Sequence, residues 1–290
     1  MKFDVSHRTT YAYRLTVAQS RHVLHLEPRE TSQQRIVGHT VLVNPAPVAQ
    51  TRIRDYFGNI THLLQIDEEH KELVVHARST VELAATAPPD LGASSPWEKV
   101  ARMSFDAPHA IDVDILQYTL RSRHTPLTRE VIEFARQFFH QGRPTLDGAM
   151  ALTTHMFETF SFDPAATDVS TPIAQVLSTR KGVCQDFAHL AIAALRSMGL
   201  PARYVSGYLL TRPPPGSPKL IGADASHAWI SVWAPESGWI DFDPTNGLMP
   251  AGEHVTVAWG RDYEDVSPIS GVLLGGGDQT MTVAVDVDAA

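Results

Sequence analysis

Lys181-Gly-Val-Cys184-Gln-Asp-Phe-Ala-His-Leu-Ala-Ile-Ala-Ala-Leu-Arg-Ser-Met198-Gly199-Leu-Pro201 decides the reading of this chain. Apolar residues at 187, 190, 191, 194 and 198 recur at the helical period, so the spacing predicts a helix over Phe187–Met198. Gly199 suits the position just past its end, and Pro201 forbids continuation. Cys184, the chain's single cysteine, then falls in or beside the first turn. Unpaired N–H groups and the helix dipole favour a thiolate there, and the Cys184 N–H could donate to a developing oxyanion. Gly182 removes side-chain bulk where a substrate backbone would approach. An isolated buried cysteine is more often inert, so this stretch alone leaves both readings open.

A second stretch bears on the choice through parity. In Ser226-His-Ala-Trp-Ile-Ser-Val-Trp233 the even positions are aliphatic, and in Trp239-Ile-Asp-Phe-Asp243 Ile240 and Phe242 are apolar. Both read as strands joined by the hairpin loop Ala234-Pro-Glu-Ser-Gly238, with the even positions facing the core. Pairing Trp233 with Trp239 sets Trp229 opposite Asp243, with His227 diagonal to it on the face away from the core. A register slip of two keeps them together, whereas a slip of one would bury the polar set. Asp243 would then orient the imidazole while His227 exchanges a proton with Cys184. The competing readings are a solvent-facing histidine and a turn-capping aspartate in Asp243-Pro-Thr-Asn-Gly247. Asp241 shares the face and competes for the imidazole; Asp243 is preferred because it lies nearer the start of the first strand. Trp229 and Trp239 are candidates for a cleft wall, with sheet covering as the alternative. His189 reads as a packed helix residue, and Gln185 and Asp186 as acceptors at the helix end.

The first 83 residues read as an antiparallel meander, from alternating Phe3, Val5, Tyr11 and Tyr13 and the β-branched stretches Arg35–Val43 and Glu72–Val81. The small, proline-rich stretch Ala84–Pro96 suits an exposed linker. Helices are predicted over Thr128–His140, about Leu146–Phe160, and a short one with Thr171 as N-cap and Pro172 at the first position. Ala202–Leu210 reads as a strand, followed by the stiff loop Thr211-Arg-Pro-Pro-Pro-Gly-Ser-Pro218, expected to project near the cleft. The expected organisation is a β domain over residues 1–90 and a catalytic domain over 91–290.

The chain's 290 residues suffice for a large core without cross-links. A net charge of -8 without a Lys/Arg block argues against a nucleic-acid partner. No apolar run of about 18 residues is present, so no membrane span is expected. One cysteine and the absence of an apolar leader after Met1 point to a cytoplasmic setting. Fourteen histidines show no His–Glu–His zinc spacing, so neither metal nor other cofactor is expected.

Four blocks resemble the transglutaminase-like superfamily, in its bacterial branch with an N-terminal β domain: Lys181–Leu190, Gly199–Tyr208, Ser226–Trp229 and Gly238–Gly247. They fall within about residues 150–250, and the region from Thr9-Thr-Tyr-Ala-Tyr13 is similar to that branch's N-terminal part. The resemblance implies an α+β, papain-like core, with a helix carrying Cys184 packed on an antiparallel sheet carrying His227 and Asp243. It implies amide acyl transfer through a Cys184 thioester, resolved by water as in a peptidase or amidase, or by an amine as in a transglutaminase. Gly182, Tyr208, Trp229 and Trp239 are the cleft candidates, and a peptide or protein the expected substrate. Calcium regulation is not carried over, and the oligomeric state is unread. The competing class is a non-catalytic peptide- or protein-binding module on the same fold. Two further alternatives are a metal hydrolase using His189, His227 and Asp243, and acyl transfer from a small thioester donor to an arylamine.

Overall fold

The computed structural model describes residues 1–85, 87–106, 112–168, 170–210 and 226–290. It begins with β1 (Lys2–Leu24), β2 (Gln34–Asn44), β3 (Ala49–Arg54), β4 (Ile60–Ile66) and β5 (His70–Leu83). β1 is one strand of 23 residues, where the sequence pattern marked two short alternating segments. Its register shifts between Ala12 and Val17, and a bulge of this kind lets one strand serve two directions. The part before the shift pairs with β5, and the part after it with β4.

The second unit contains α1 (Trp97–Asp106), α2 (Val113–Leu116), α3 (Arg129–Arg136), α4 (Thr145–Thr159), β6 (Ser161–Phe162), α5 (Ile173–Thr179), β7 (Lys181–Gly182) and α6 (Cys184–Ser197). β8 (Ala202–Leu209), β9 (Ser226–Ala234), β10 (Gly238–Phe242) and β11 (His254–Gly260) form an antiparallel sheet in the order β10-β9-β8-β11. This is the α+β arrangement expected, with the cysteine-bearing helix on an antiparallel sheet. α6 is buried from Asp186 to Arg196, not along one stripe. Ala188, Ala193 and Ala194 are small enough for neighbours to close over every side, which makes α6 a central helix. Thr171 does not cap α5: Pro172 takes that position, and the Thr171 hydroxyl accepts the Asp168 N–H at 2.9 Å.

The last strands, β12 (Ile269–Gly275) and β13 (Gln279–Ala289), return to the N-terminal sheet and pair with the two parts of β1. Residues 269–289, which the sequence reading places with the catalytic domain, thus complete the first sheet. Nothing in their local sequence names β1 as the partner. Phe3, Val5, Val81, Leu83, Val285 and Val287 also belong to the same apolar cluster as α6 and the four-stranded sheet, so the two units share a core. The stretch expected as an exposed linker is docked at its end. Ser94 and Ser95 are buried, the Ser94 Oγ accepts the Leu146 N–H at 3.0 Å, and the Ser95 hydroxyl donates to Glu236.

Edge strand β11 is closed by side chains. Gln34 accepts the Thr256 N–H at 2.8 Å and donates to the Thr256 carbonyl at 2.6 Å, while Asn59 does the same to Trp259 at 2.9 Å for both bonds. Two amides thereby occupy edge groups that a further strand would otherwise pair. Among the described residues no helix is long and apolar enough to cross a membrane. Replacing buried Gln34 with leucine strips the Thr256 N–H of its partner and leaves the Thr256 carbonyl only the longer bond from the Arg29 N–H at 3.3 Å, so Gln34→Leu is expected to lower stability by about 1–3 kcal/mol. The check is a shifted urea midpoint at unchanged slope; a loss below about 0.5 kcal/mol would show that this edge does not depend on Gln34.

Candidate active site

Cys184 is the first residue of α6, preceded by the extended N-cap Val183. Asp186 Oδ2 accepts the Val183 N–H at 2.9 Å and the Thr167 hydroxyl at 2.7 Å, tying down the entry to the helix. Burial pushes the Asp186 carboxyl up from its ordinary value, against the lowering effect of these two bonds. Gly182 has a local reason to be glycine: a Cβ there would stand 2.8 Å from Asp186 Oδ2 and 2.9 Å from its Cβ. The space that the sequence reading kept for a substrate backbone is filled by the aspartate that holds the cysteine's turn.

β9 and β10 pair with Trp233 opposite Trp239, the register expected, and Asp243 follows as a bridge to Leu248. His227 Nε2 donates to Asp243 Oδ2 at 2.7 Å. Its ring lies close enough to Cys184 for the thiol to favour the protonated imidazole. Burial disfavours that cation, but the bonds to Asp243 and Cys184 outweigh it, and His227 is pushed up to about 10. The Asp243 carboxyl, fully buried, goes below the ordinary carboxylate range: desolvation opposes ionisation, and hydrogen bonds from His227, His254 and Asn246 overcome it.

The turn-capping reading of Asp243 and the imidazole-orienting reading both describe it, on different oxygens. Oδ1 accepts the N–H groups of Thr245 at 2.9 Å and Asn246 at 3.2 Å. Oδ2 takes His227, the Asn246 side-chain amide at 2.7 Å and His254 Nε2 at 2.9 Å. His254 and Asn246 were missed in the sequence. For His254 a signal existed: Val255 and Val257 put residue 254 on the polar face of its strand. Asp241 does not compete for His227, because its Oδ2 accepts the Trp229 indole N–H at 2.9 Å.

The face carrying His227 is not open to solvent along its length, since Trp229 and Ser231 are fully buried. Trp229 lies against His254 and over Gly207, where a Cβ would come within 2.5 Å of its ring. It therefore does not wall an open cleft. Tyr208 is also buried, with its hydroxyl 2.9 Å from His7 Nδ1 on β1. Trp239 does line a large cavity, together with Asp241, His254 and Arg203. His189 stacks on His124 and accepts the Tyr263 N–H at 3.2 Å, a packed position as expected. The loop expected over Thr211–Pro218 lies outside the described residues.

Among the described residues two groups have spacing that could hold a cation: His227, Asp243 and His254, and in the β domain Glu27, His39 and His62. In the first, both imidazole Nε2 atoms already meet Asp243 Oδ2; in the second, Arg52 grips Glu27 with bonds of 2.6 and 2.9 Å. The trio weighed for a metal hydrolase differs from the first by having His189 in place of His254.

Residues 132–244 match the family described as the transglutaminase-like superfamily, and residues 3–82 match the bacterial transglutaminase-like N-terminal region. An uncharacterized protein of Mycobacterium tuberculosis (strain H37Rv) is 37% identical over 295 residues, covering 99% of this chain and 92% of that protein. A protein-glutamine gamma-glutamyltransferase of Pseudomonas aeruginosa is 29% identical over 150 residues, 50% of this chain and 22% of that protein. In fold, the chain is similar to a Cytophaga hutchinsonii protein provisionally described as a cysteine protease, with a TM-score of 0.77, 22% identity, and coverage of 99% and 90% of the two chains.

The folded value of His227 lies above its ordinary 6.5, so its stabilising contribution is complete below pH 6.5 and is lost as pH rises through about 10. An NMR titration of the His227 ring should show the raised midpoint in the unaltered protein and a lower one in Cys184→Ala. An unchanged midpoint in Cys184→Ala would mean that thiol and imidazole do not interact.

Proposed function

This chain belongs to the transglutaminase-like superfamily, and from that premise we propose that it is a cysteine-dependent acyl-transfer enzyme acting on amides, with Cys184, His227 and Asp243 as its triad. The observation that carries the reading is the buried 2.7 Å bond from His227 Nε2 to Asp243, which leaves Nδ1 for the thiol at the head of α6. In the first step the Cys184 sulfur bonds to the amide carbon while the carbonyl π pair moves onto oxygen, and the proton of the Cys184–His227 pair stays on His227 Nδ1, whose protonated form Asp243 and Cys184 favour. Asp243 holds the tautomer and stabilises the imidazolium. The Cys184 N–H, in the first turn of α6 and without an earlier turn to pair with, is the donor this reading assigns to the oxyanion. The imidazolium then protonates the leaving nitrogen, the C–N bond breaks, and a thioester remains. Water or an amine attacks it, giving a proton to His227, which returns it to the departing sulfur.

Hydrolysis is the preferred outcome, because bulk water is the default nucleophile unless a site excludes it. The amine branch is favoured by one finding, the glutamyltransferase named among the relatives. A cytoplasmic location belongs to this reading, since a reducing compartment keeps the lone thiol free.

Incubating the protein with peptide mixtures and an excess of labelled amine, followed by mass spectrometry, separates the branches. New peptide termini mark a peptidase, and label on glutamine side chains marks transfer. Either activity should vanish in Cys184→Ala, fall by about 10³–10⁴ in Asp243→Asn through loss of the correct tautomer, and survive chelation. Turnover in Cys184→Ala, or its loss on chelation alone, would contradict the thiol mechanism.

A further inference from the structure

The cavity lined by Trp239 has a volume of about 1240 Å³ and lies between the polar face of the four-stranded sheet and N-terminal residues that include Gln33, Gln34 and Ala84. Its chemistry is concentrated at Arg203. That side chain rises from β8 opposite Ser231, and its Cζ lies 3.6 Å from the Trp259 ring centroid and 4.4 Å from that of Trp239. Arg203 is 8% exposed, yet among the described residues it forms no hydrogen bond or ion pair, and its buried Nε has no partner. The Ser231 hydroxyl across the strand pair is likewise buried and unpartnered.

A buried guanidinium ordinarily meets acceptors, because desolvating a charge without hydrogen bonds is costly. Here the two indoles take the flat surfaces, Nε is buried beside them, and Arg203 lines the cavity. Burial lowers Arg203 to about 10, which leaves it cationic at neutral pH. Asp241 lines the same cavity and favours the charged guanidinium without bridging to it. Met150, Ile240, Leu248, Met249 and Pro250 supply apolar wall.

We propose that this cavity binds the carboxyl end of a peptide, with the terminal carboxylate on the edge of Arg203 and the adjoining N–H donated to Asp241. A planar fork of donors matches a carboxylate in a way a neutral amide does not, and apolar walls with a few convergent polar groups are the usual composition of a ligand site. Ser231 is four residues along β9 from His227, so Arg203 sits about 13 Å along the sheet from the imidazole at ~3.3 Å per residue. The site therefore grips a segment remote from the reacting bond. The choice of a peptide as ligand rests on the acyl-transfer reading, but binding here does not require the thiol.

The test is an NMR titration of the Trp239 and Trp259 indole N–H signals in Cys184→Ala protein, where no turnover intervenes. The probes are acetyl-Ala-Leu-Ala as free acid and as C-terminal amide. The acid should shift both signals and bind at least about 10-fold more tightly than the amide. Arg203→Met should abolish this preference, and Arg203→Lys should retain part of it. Equal binding of acid and amide, or no shift with either, overturns the proposal. The acid–amide comparison needs no change at Arg203 and decides the matter even if Arg203→Met fails to fold. Failure of this site would leave the thiol chemistry standing, and an inactive thiol would leave the binding result intact.

Discussion

A single buried carboxylate, that of Asp243, organises the end of the molecule that holds Cys184 and His227. A fully buried negative charge is tolerable only when its lone pairs are occupied, and here two backbone N–H groups, two imidazoles and a side-chain amide occupy them. Oδ1 fixes the turn that begins at Asp243, and Oδ2 fixes the ring of His227. The same atoms that end β10 therefore set the imidazole against Cys184, and a change to the turn is a change to the site. His254 brings β11 into the same cluster, so both outer strands of the sheet, β10 and β11, meet at one carboxylate.

The N-terminal strands contribute to that sheet through polar as well as apolar contacts. Gln34 and Asn59 close the β11 backbone, His7 holds Tyr208 on β8, and Arg29 lies over the Trp259 ring with its Cζ 3.2 Å from the centroid. Arg29 and Arg203 both stand over Trp259, so the indole offers a π surface to two cations whose charge burial opposes. β12 and β13 then return the end of the chain to β1. The β domain thus forms part of the wall and support of the four-stranded sheet.

Much of this was legible in the residues. The body and end of α6 follow from the apolar spacing and the Gly199–Pro201 stop, although the helix starts at Cys184, three residues before the predicted Phe187; the His227–Asp243 pair follows from parity in two strands joined by a short hairpin. Less legible was what covers each surface. Parity separates two faces of a strand but does not say that the polar face also packs, and Trp229 and Tyr208 are buried where an open cleft was expected. The pairing of β12 and β13 with β1 was likewise not legible, because contacts across more than 240 residues leave no local trace. Gly182 shows the same limit. The need for a missing Cβ was readable, but the occupant of that space was Asp186 from the same turn.

The central claim is that His227 activates the thiol of Cys184, and the rate of iodoacetamide alkylation tests it most directly because the chain has one cysteine to label. Intact-mass kinetics at about pH 6 should show fast modification of the unaltered protein, slowed at least about 10-fold in His227→Ala. Equal, slow labelling of both proteins with an ordinary thiol profile would contradict an activated pair.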